Sequence, residues 1–129
     1  MAFSRHVHLS DEAVEVRFTG LLSLKTLRRR LSVPYSRIVL VSTEPFDDKR
    51  GLLRIAGYAL GRSLHGLFRQ RGRWLFLSFE NPRQVIHLKL DPTGAGWPRL
   101  EEVVLQVPDP DSTVTEIERR RMPRVAAAE

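Results

Sequence analysis

The residues best suited to chemistry are three arginines that alternate around a predicted hairpin. Arg69, Arg71 and Arg73 stand two residues apart, with Phe68 and Trp74 beside them. Basic side chains interleaved with aromatic rings can hold phosphates or stack on bases. A small β domain also needs its large apolar side chains for the core, and Phe68 and Trp74 are expected to serve there. The three arginines remain candidate anion-binding residues.

Arg54 and Arg62 extend this candidate site along the chain. The segment 49–73 holds seven basic residues and no acidic one. The whole chain has 21 Lys and Arg against 15 Asp and Glu, a net charge of +6, and such an excess favours anionic partners. A simple solvated basic surface would look the same, and the sequence leaves both interpretations open.

No constellation of residues indicates catalysis or a cofactor. His6 and His8 could face one side of a strand, but a zinc site needs at least a third ligand, so an exposed strand surface is expected. Glu101 and Glu102 point to opposite faces of a strand and cannot act together as acid and base. The segment 57–61 lacks the Gly-Lys-Ser/Thr ending of a phosphate loop. No Gly-x-Ser-x-Gly elbow occurs, and the chain has no cysteine. We expect neither enzyme activity, nor a metal, nor a cofactor.

Most of the chain shows the period-two alternation of half-buried strands. Val14, Val16 and Phe18 share one face of the predicted strand Ala13–Thr19 and should be core residues. His87 alternates with apolar neighbours, so it is expected to face solvent or to be hydrogen-bonded. The segment 44–63 has little periodicity and three glycines, so it is predicted as a long loop. The sequence thus predicts a mostly β fold of seven strands.

Helical spacing appears twice. Ser23 can cap a short helix over about residues 23–30. A clearer helix begins with Asp109 as N-cap and Pro110 in the first turn, where its missing N–H costs nothing. Val114 and Ile117 form its apolar stripe and are expected in the core, and Pro123 should end it.

Six segments in this order resemble a group of small bacterial proteins with pleckstrin-homology-like (PH-like) domains. The resemblance covers about residues 12–120 and implies a bent antiparallel sandwich or barrel of seven strands, capped by the C-terminal helix. The matching segments are Val14–Phe18, the short helix through Leu27, Val33–Ile38, Gly51–Gly57, Asn81–Ile86 and Val107–Pro110.

The resemblance implies a binding or scaffolding module, since domains of this kind are not catalysts. Phosphoinositide-binding members use basic residues near their first hairpin, but here that hairpin is Ser10-Asp11-Glu12, which is acidic. That ligand site therefore does not carry over. A protein or peptide is the expected partner, with self-association through sheet edges also open. The alternative is an acidic lipid headgroup or a nucleic acid held by the basic segment 49–73.

Length and composition indicate one domain, over residues 1–122, with a frayed tail at 123–129. The chain of 129 residues is 42% hydrophobic and 28% charged, which is ordinary globular composition. The apolar run 38–41 is far shorter than the roughly 20 residues of a transmembrane helix. No secretory signal is visible at the N-terminus, so a cytoplasmic location is expected.

Overall fold

The computed structural model describes residues 4–20, 30–91 and 99–127. Nine strands, a 3₁₀ turn and one helix make up this part of the chain. They are β1 (Ser4–Leu9), β2 (Ala13–Thr19), β3 (Arg30–Pro34), the 3₁₀ turn Tyr35–Arg37, β4 (Ile38–Ser42), β5 (Leu52–Leu60), β6 (Ser63–Gln70), β7 (Arg73–Phe79), β8 (Val85–Leu90), β9 (Glu102–Gln106) and α1 (Pro110–Ala127). The short helix predicted near residues 23–30 lies almost wholly outside the described residues, and Arg30 itself begins β3.

The strands form two open sheets, and the described strands close no barrel. One sheet is an antiparallel meander in the order β1-β2-β3, and the other has six strands in the order β4-β8-β9-β7-β6-β5. Sequence reasoning predicted seven strands, all antiparallel. Both predictions are wrong, because the described part has nine strands and because β9 enters between β8 and β7 and runs parallel to β7.

A main core joins the two sheets and the helix. Val14, Val16 and Phe18 of β2 are at most 2% exposed, and they belong to one apolar cluster with residues of β3, β4, β7, β8, β9 and α1. Strand β9 has a central position, so its residues Val103, Val104 and Leu105 are buried on both faces. The opposite face of the six-stranded sheet holds a second core, in which Phe46 packs with residues of β6–β9.

Helix α1 begins where the sequence predicts and continues past the predicted end. Asp109 accepts a hydrogen bond from the Ser112 N–H at 3.2 Å through its side chain, as an N-cap does. Ile117 is fully buried in the main core, whereas Val114 is only partly buried against it. The helix runs through Pro123 to Ala127. The predicted end at Pro123 is therefore wrong: a proline inside a helix removes one hydrogen bond and can kink the helix without ending it.

Strand β5 occupies the region predicted as a loop. Its pairing with β6 shifts register between Arg54 and Ala56, which leaves Ile55 without a partner residue in β6. This bulge interrupts the alternation of residues along β5. An edge strand also buries little of either face, so the sequence of β5 shows no period-two pattern. Gly57 faces Gly66 on β6 so closely that a Cβ at Gly57 would lie 2.1 Å from the His65 carbonyl oxygen.

Candidate functional site

The five candidate arginines do not converge on one site. Arg71 lies in the β6–β7 turn with φ +52°, followed by Gly72 at +83°, while Arg62 lies in the β5–β6 turn at the other end of β6. The eight residues of β6 separate those turns by roughly 26 Å. Arg69 lies over the Trp74 ring at 4.7 Å. Arg54 is exposed on β5.

Arg73 is committed to contacts within the protein. Its guanidinium donates hydrogen bonds to the Glu102 carboxylate at 3.3 Å and to the Gln70 side-chain oxygen at 3.3 Å. A phosphate would have to compete with Glu102 for this side chain. The sequence could not show this, because Glu102 is 29 residues away and only the parallel pairing of β7 with β9 brings the two together.

The exposed large aliphatic side chains lie at the edges of the six-stranded sheet. In the described part of the chain there are five of them: Leu53, Ile55 and Leu60 on β5, exposed by 61, 48 and 68%, and Val39 and Leu40 on β4, exposed by 61 and 50%. Strands β5 and β4 are the two ends of the sheet order. Apolar side chains on an unpaired edge favour the addition of another strand.

A chain of hydrogen bonds fixes a histidine on the face that carries the second core. The Nδ1 atom of His87 lies 2.6 Å from a Glu102 oxygen, the other oxygen of Glu102 accepts from Arg73, and Arg73 also bonds Gln70. Gln70 in turn donates to the carbonyl oxygens of Asp48 and Arg50 at 2.8 and 3.1 Å. Of the two states predicted for His87, solvent-facing or hydrogen-bonded, the structure shows the hydrogen-bonded one, with a partner that the sequence did not indicate.

Glu102 is ionised in this chain of contacts. Burial alone would raise the pKa of its carboxyl, but the hydrogen bond and the electrostatic attraction of His87, together with the nearby charges of Arg73 and Lys89, outweigh burial and lower the pKa. A carboxylate can only accept, so the shared hydrogen belongs to His87 Nδ1. The other ring nitrogen, Nε2, is a hydrogen-bond acceptor in a neutral imidazole and a donor in a protonated one. This atom is buried and has no hydrogen-bond partner among the described residues.

His87 lies in the wall of a cleft of about 510 Å³ between the sheet and the segment 44–48. The Phe46 ring stacks near the His87 ring at 6.2 Å, and Ser42 is the residue directly opposite His87 on β4. Leaving a buried polar atom unpaired costs about 1–3 kcal/mol. His87, a wall residue of the cleft, therefore carries one buried atom that is unsatisfied among the described residues.

A second polar cluster connects the two sheets. Arg5 of β1, whose side chain is 7% exposed, donates to Ser78 at 3.0 Å, to the Gln106 carbonyl at 3.2 Å and to Glu80 at 2.8 Å. Buried His65 contacts Ser78 and Glu80 at 3.0 and 3.2 Å. No local pattern in the sequence predicts this cluster, since its members come from four separate strands and a turn.

The exposure of the two pairs His6/His8 and Glu101/Glu102 agrees in part with what their spacing predicts. His6 and His8 are both exposed on β1, and the described residues contain no group of three His, Cys, Asp or Glu placed to hold a metal. Glu102 is buried, at 6% exposure, whereas its neighbour Glu101 is partly exposed.

No helix in the described ranges is long and apolar enough to cross a membrane. Comparison with protein-family models, with curated proteins and with solved structures gives no match to this chain.

Proposed function

We propose that the chain is a non-enzymatic interaction module of the PH-like kind that binds an extended protein strand along β5. The partner strand that we propose is the β5 of a second copy of this chain. The observation that carries the proposal is that the exposed large aliphatic residues of the described chain are confined to the two edges of the six-stranded sheet. Strand addition at an edge provides affinity through main-chain hydrogen bonds and specificity through alternate side chains.

Strand β5 is favoured over β4 for three reasons. It has nine residues against five, so it offers a longer ladder. It carries three of the exposed aliphatic residues. The edge of β4 is already contacted by the helix, since Arg121 donates to the Val39 carbonyl at 3.2 Å.

The charge pattern of β5 suits pairing with itself. Arg54 is the one charged residue in Leu52–Leu60. An antiparallel pair centred on Ala56 sets Arg54 opposite Tyr58 of the second copy, so no two arginines face each other. Like charges directly opposite one another would destabilise the pair. The bulge at Ile55 and the charge of Arg54 are features that natural edge strands use against unlimited pairing, so a closed dimer is expected.

Size-exclusion chromatography with light scattering tests the proposal on the full chain. Measurements at about 10 and 300 μM bracket the micromolar affinity expected of a small interface. The wild type should reach twice the 14.8 kDa mass of one chain at the higher concentration. Leu60→Lys should remain a monomer, because in a pair centred on Ala56 this lysine lies opposite Leu52 of the second copy and must be desolvated there.

Val39→Lys is the matched control, since it places the same charge on an equally exposed aliphatic position at the other edge. It should dimerise like the wild type. A wild-type monomer at 300 μM, or equal loss of the dimer in both variants, would show that β5 is not the pairing edge. Hydrolase or transferase turnover that one substitution abolishes would contradict the non-enzymatic assignment.

A further inference from the structure

Strand β4 ends the six-stranded sheet on the side opposite to β5, and its sequence favours self-association. Among the described strands it pairs with β8 and then ends the sheet order. Its five residues, Ile38–Ser42, contain no charge, no proline and no glycine, and three of them are β-branched. Val39 and Leu40 are largely exposed. Short uncharged segments of high β-propensity pair readily with one another when an edge exposes them.

A contact from helix α1 protects this edge. Arg121 donates a hydrogen bond to the Val39 carbonyl oxygen at 3.2 Å. The register shift in β4 leaves Val39 without a partner residue on β8, so without Arg121 this carbonyl could accept from an added strand. An incoming strand must therefore displace Arg121 or bury its charge, and burying an unpaired charge is costly. Natural proteins protect edge strands in this way, by a charge or by a helix laid against the edge.

The helix holds Arg121 in place by a side-chain contact near its C-terminal end. Glu118 accepts a hydrogen bond from the Arg121 guanidinium at 2.6 Å. The helix continues through Pro123, which has no N–H, so the turn 119–123 lacks its closing hydrogen bond. Local opening of this turn would lift Arg121 from β4 and would leave the two sheets folded.

We infer that Arg121 is an autoinhibitory guard of the β4 edge. While it is seated, β4 adds no strand, and once it is lifted, β4 pairs antiparallel with the β4 of a second copy. A pair centred on Leu40 sets Val39 opposite Val41 of the second copy, so apolar side chains meet and no like charges face each other.

The inference goes beyond the proposed function and does not rest on it, because β4 and β5 are the two ends of the sheet order. If only β5 pairs, the assembly closes as a dimer. If both edges pair, each copy contacts two others, and the assembly extends as an open chain. Arg121 would thus limit the size of the assembly.

The test uses the full chain with the β5 edge blocked by Leu60→Lys. Light scattering at about 10 and 300 μM should show a monomer for this variant. Addition of Arg121→Ala should raise the mass toward twice 14.8 kDa at the higher concentration. Arg119→Ala is the matched control, since Arg119 is an exposed arginine of the same helix that pairs with Glu116, and it should leave the mass unchanged. Further addition of Val39→Lys to the Arg121→Ala protein should restore the monomer, because it places a charge on β4 itself.

Glu118→Ala decides the question if urea melts show that Arg121→Ala does not fold. It keeps the arginine but removes the carboxylate that holds it, so it should raise the mass in the same direction and to a smaller extent. A protein with Leu60→Lys and Arg121→Ala that folds and stays monomeric at about 300 μM would overturn the inference. An equal rise with Arg119→Ala, or a rise that Val39→Lys does not reverse, would do the same.

Arg121→Ala in the otherwise wild-type chain separates this inference from the proposed function. If β5 pairs as proposed, the variant should exceed the mass of a dimer. If the wild type is a monomer, the proposed function fails, and the variant should still form a dimer through β4. A mass equal to that of the wild type in either case would mean that Arg121 does not guard the edge.

Discussion

At the residue scale, buried charge in this protein is balanced by specific partners. Arg5 reaches from β1 to Glu80, Ser78 and the Gln106 carbonyl, and His65 contacts the same oxygen of Glu80 at 3.2 Å. Buried charges require such pairing, because their desolvation is otherwise costly. This cluster connects β1 to the six-stranded sheet, so its state of ionisation should affect stability.

The pKa of Glu80 makes that effect testable. A hydrogen bond from His65, assisted by Arg5 and against the opposing effect of burial, lowers the pKa from 4.5 to about 2. As the pH falls, the unfolded chain therefore binds a proton at Glu80 before the folded protein does. The contribution of Glu80 to folding stability is thus fully present above about pH 4.5 and is lost as the pH falls toward 2. Urea midpoints measured from about pH 6 to about pH 2.5 should fall more steeply for the wild type than for Glu80→Gln. Parallel curves for the two proteins would show that Glu80 is not linked to folding.

Single residues were the least predictable level from the sequence. The alternation that includes His87 correctly indicated a hydrogen-bonded or exposed histidine, but nothing near it identified Glu102, 15 residues away. The pairs Arg5–Glu80 and Arg73–Glu102 likewise span 75 and 29 residues. Such pairs depend on strand order, and strand order is decided by long-range contacts that no local pattern encodes.

At the scale of elements, the docking of α1 can be tested with one buried and one exposed residue. Ile117 is fully buried in the main core, and truncation of such a side chain leaves a cavity. Ile117→Ala should lower the free energy of unfolding by about 2–5 kcal/mol. Arg119→Ala should cost well under about 1 kcal/mol, since Arg119 is exposed and its ion-pair partner among the described residues is the likewise surface-lying Glu116 on the same helix. Urea melts of both variants give the comparison, and equal midpoints would mean that the helix is not docked.

Arg120 is unsuitable as a control, although it is the direct neighbour of Arg119 in the sequence. Its guanidinium donates to the Ser10 carbonyl at 3.2 Å and to Glu116 at 2.8 Å. It therefore connects the helix to the β1–β2 turn. The helix periodicity places Arg120 correctly on α1, but the neighbouring turn comes from a segment 110 residues away.

The close approach of β5 to β6 gives a second prediction at this scale. A Cβ at Gly57 would lie 2.1 Å from the His65 carbonyl oxygen, and the residue has φ +131°. Gly61 in the adjoining turn has φ +60° with open space around its Cβ position. Gly57→Ala should cost more than about 2 kcal/mol, because it adds a clash to the backbone strain, while Gly61→Ala should cost about 1 kcal/mol. Similar thermal unfolding midpoints for the two variants would contradict the close pairing of the strands.

Elements with strong local signals were predicted well, and elements defined by their neighbours were not. The alternation of β2, the glycine of the β6–β7 turn and the Asp109 cap each act within a few residues, and the structure has all three. Strand β5 was missed because its bulge and its edge position remove the alternation on which strand prediction relies. The insertion of β9 beside β7 is a property of the assembled sheet.

At the scale of the whole molecule, the net charge of +6 favours contact with anionic surfaces, but the fold spreads the candidate arginines over the sheet. Arg62 and Arg71 lie at opposite ends of β6, and Arg73 is held by Glu102. Long-range attraction depends on the summed charge, whereas a specific site needs several cations around one phosphate. The dispersed arrangement therefore predicts weak and non-specific binding of nucleic acid or acidic lipid.

Fluorescence anisotropy with labelled single-stranded DNA, repeated with acidic vesicles, distinguishes weak, non-specific binding from binding at a specific anion site. Any binding at about 20 mM salt should be largely lost at about 200 mM, because phosphate contacts release counterions. Arg54→Ala, Arg62→Ala, Arg69→Ala and Arg71→Ala should each change the affinity by less than about twofold, since each removes one of many equivalent charges. A loss of about tenfold from one of these substitutions would correspond to about 1.4 kcal/mol at a single position. That result would mean that the arginines do form a localised anion site, and the assignment of the β5 edge as the functional surface would have to be revised.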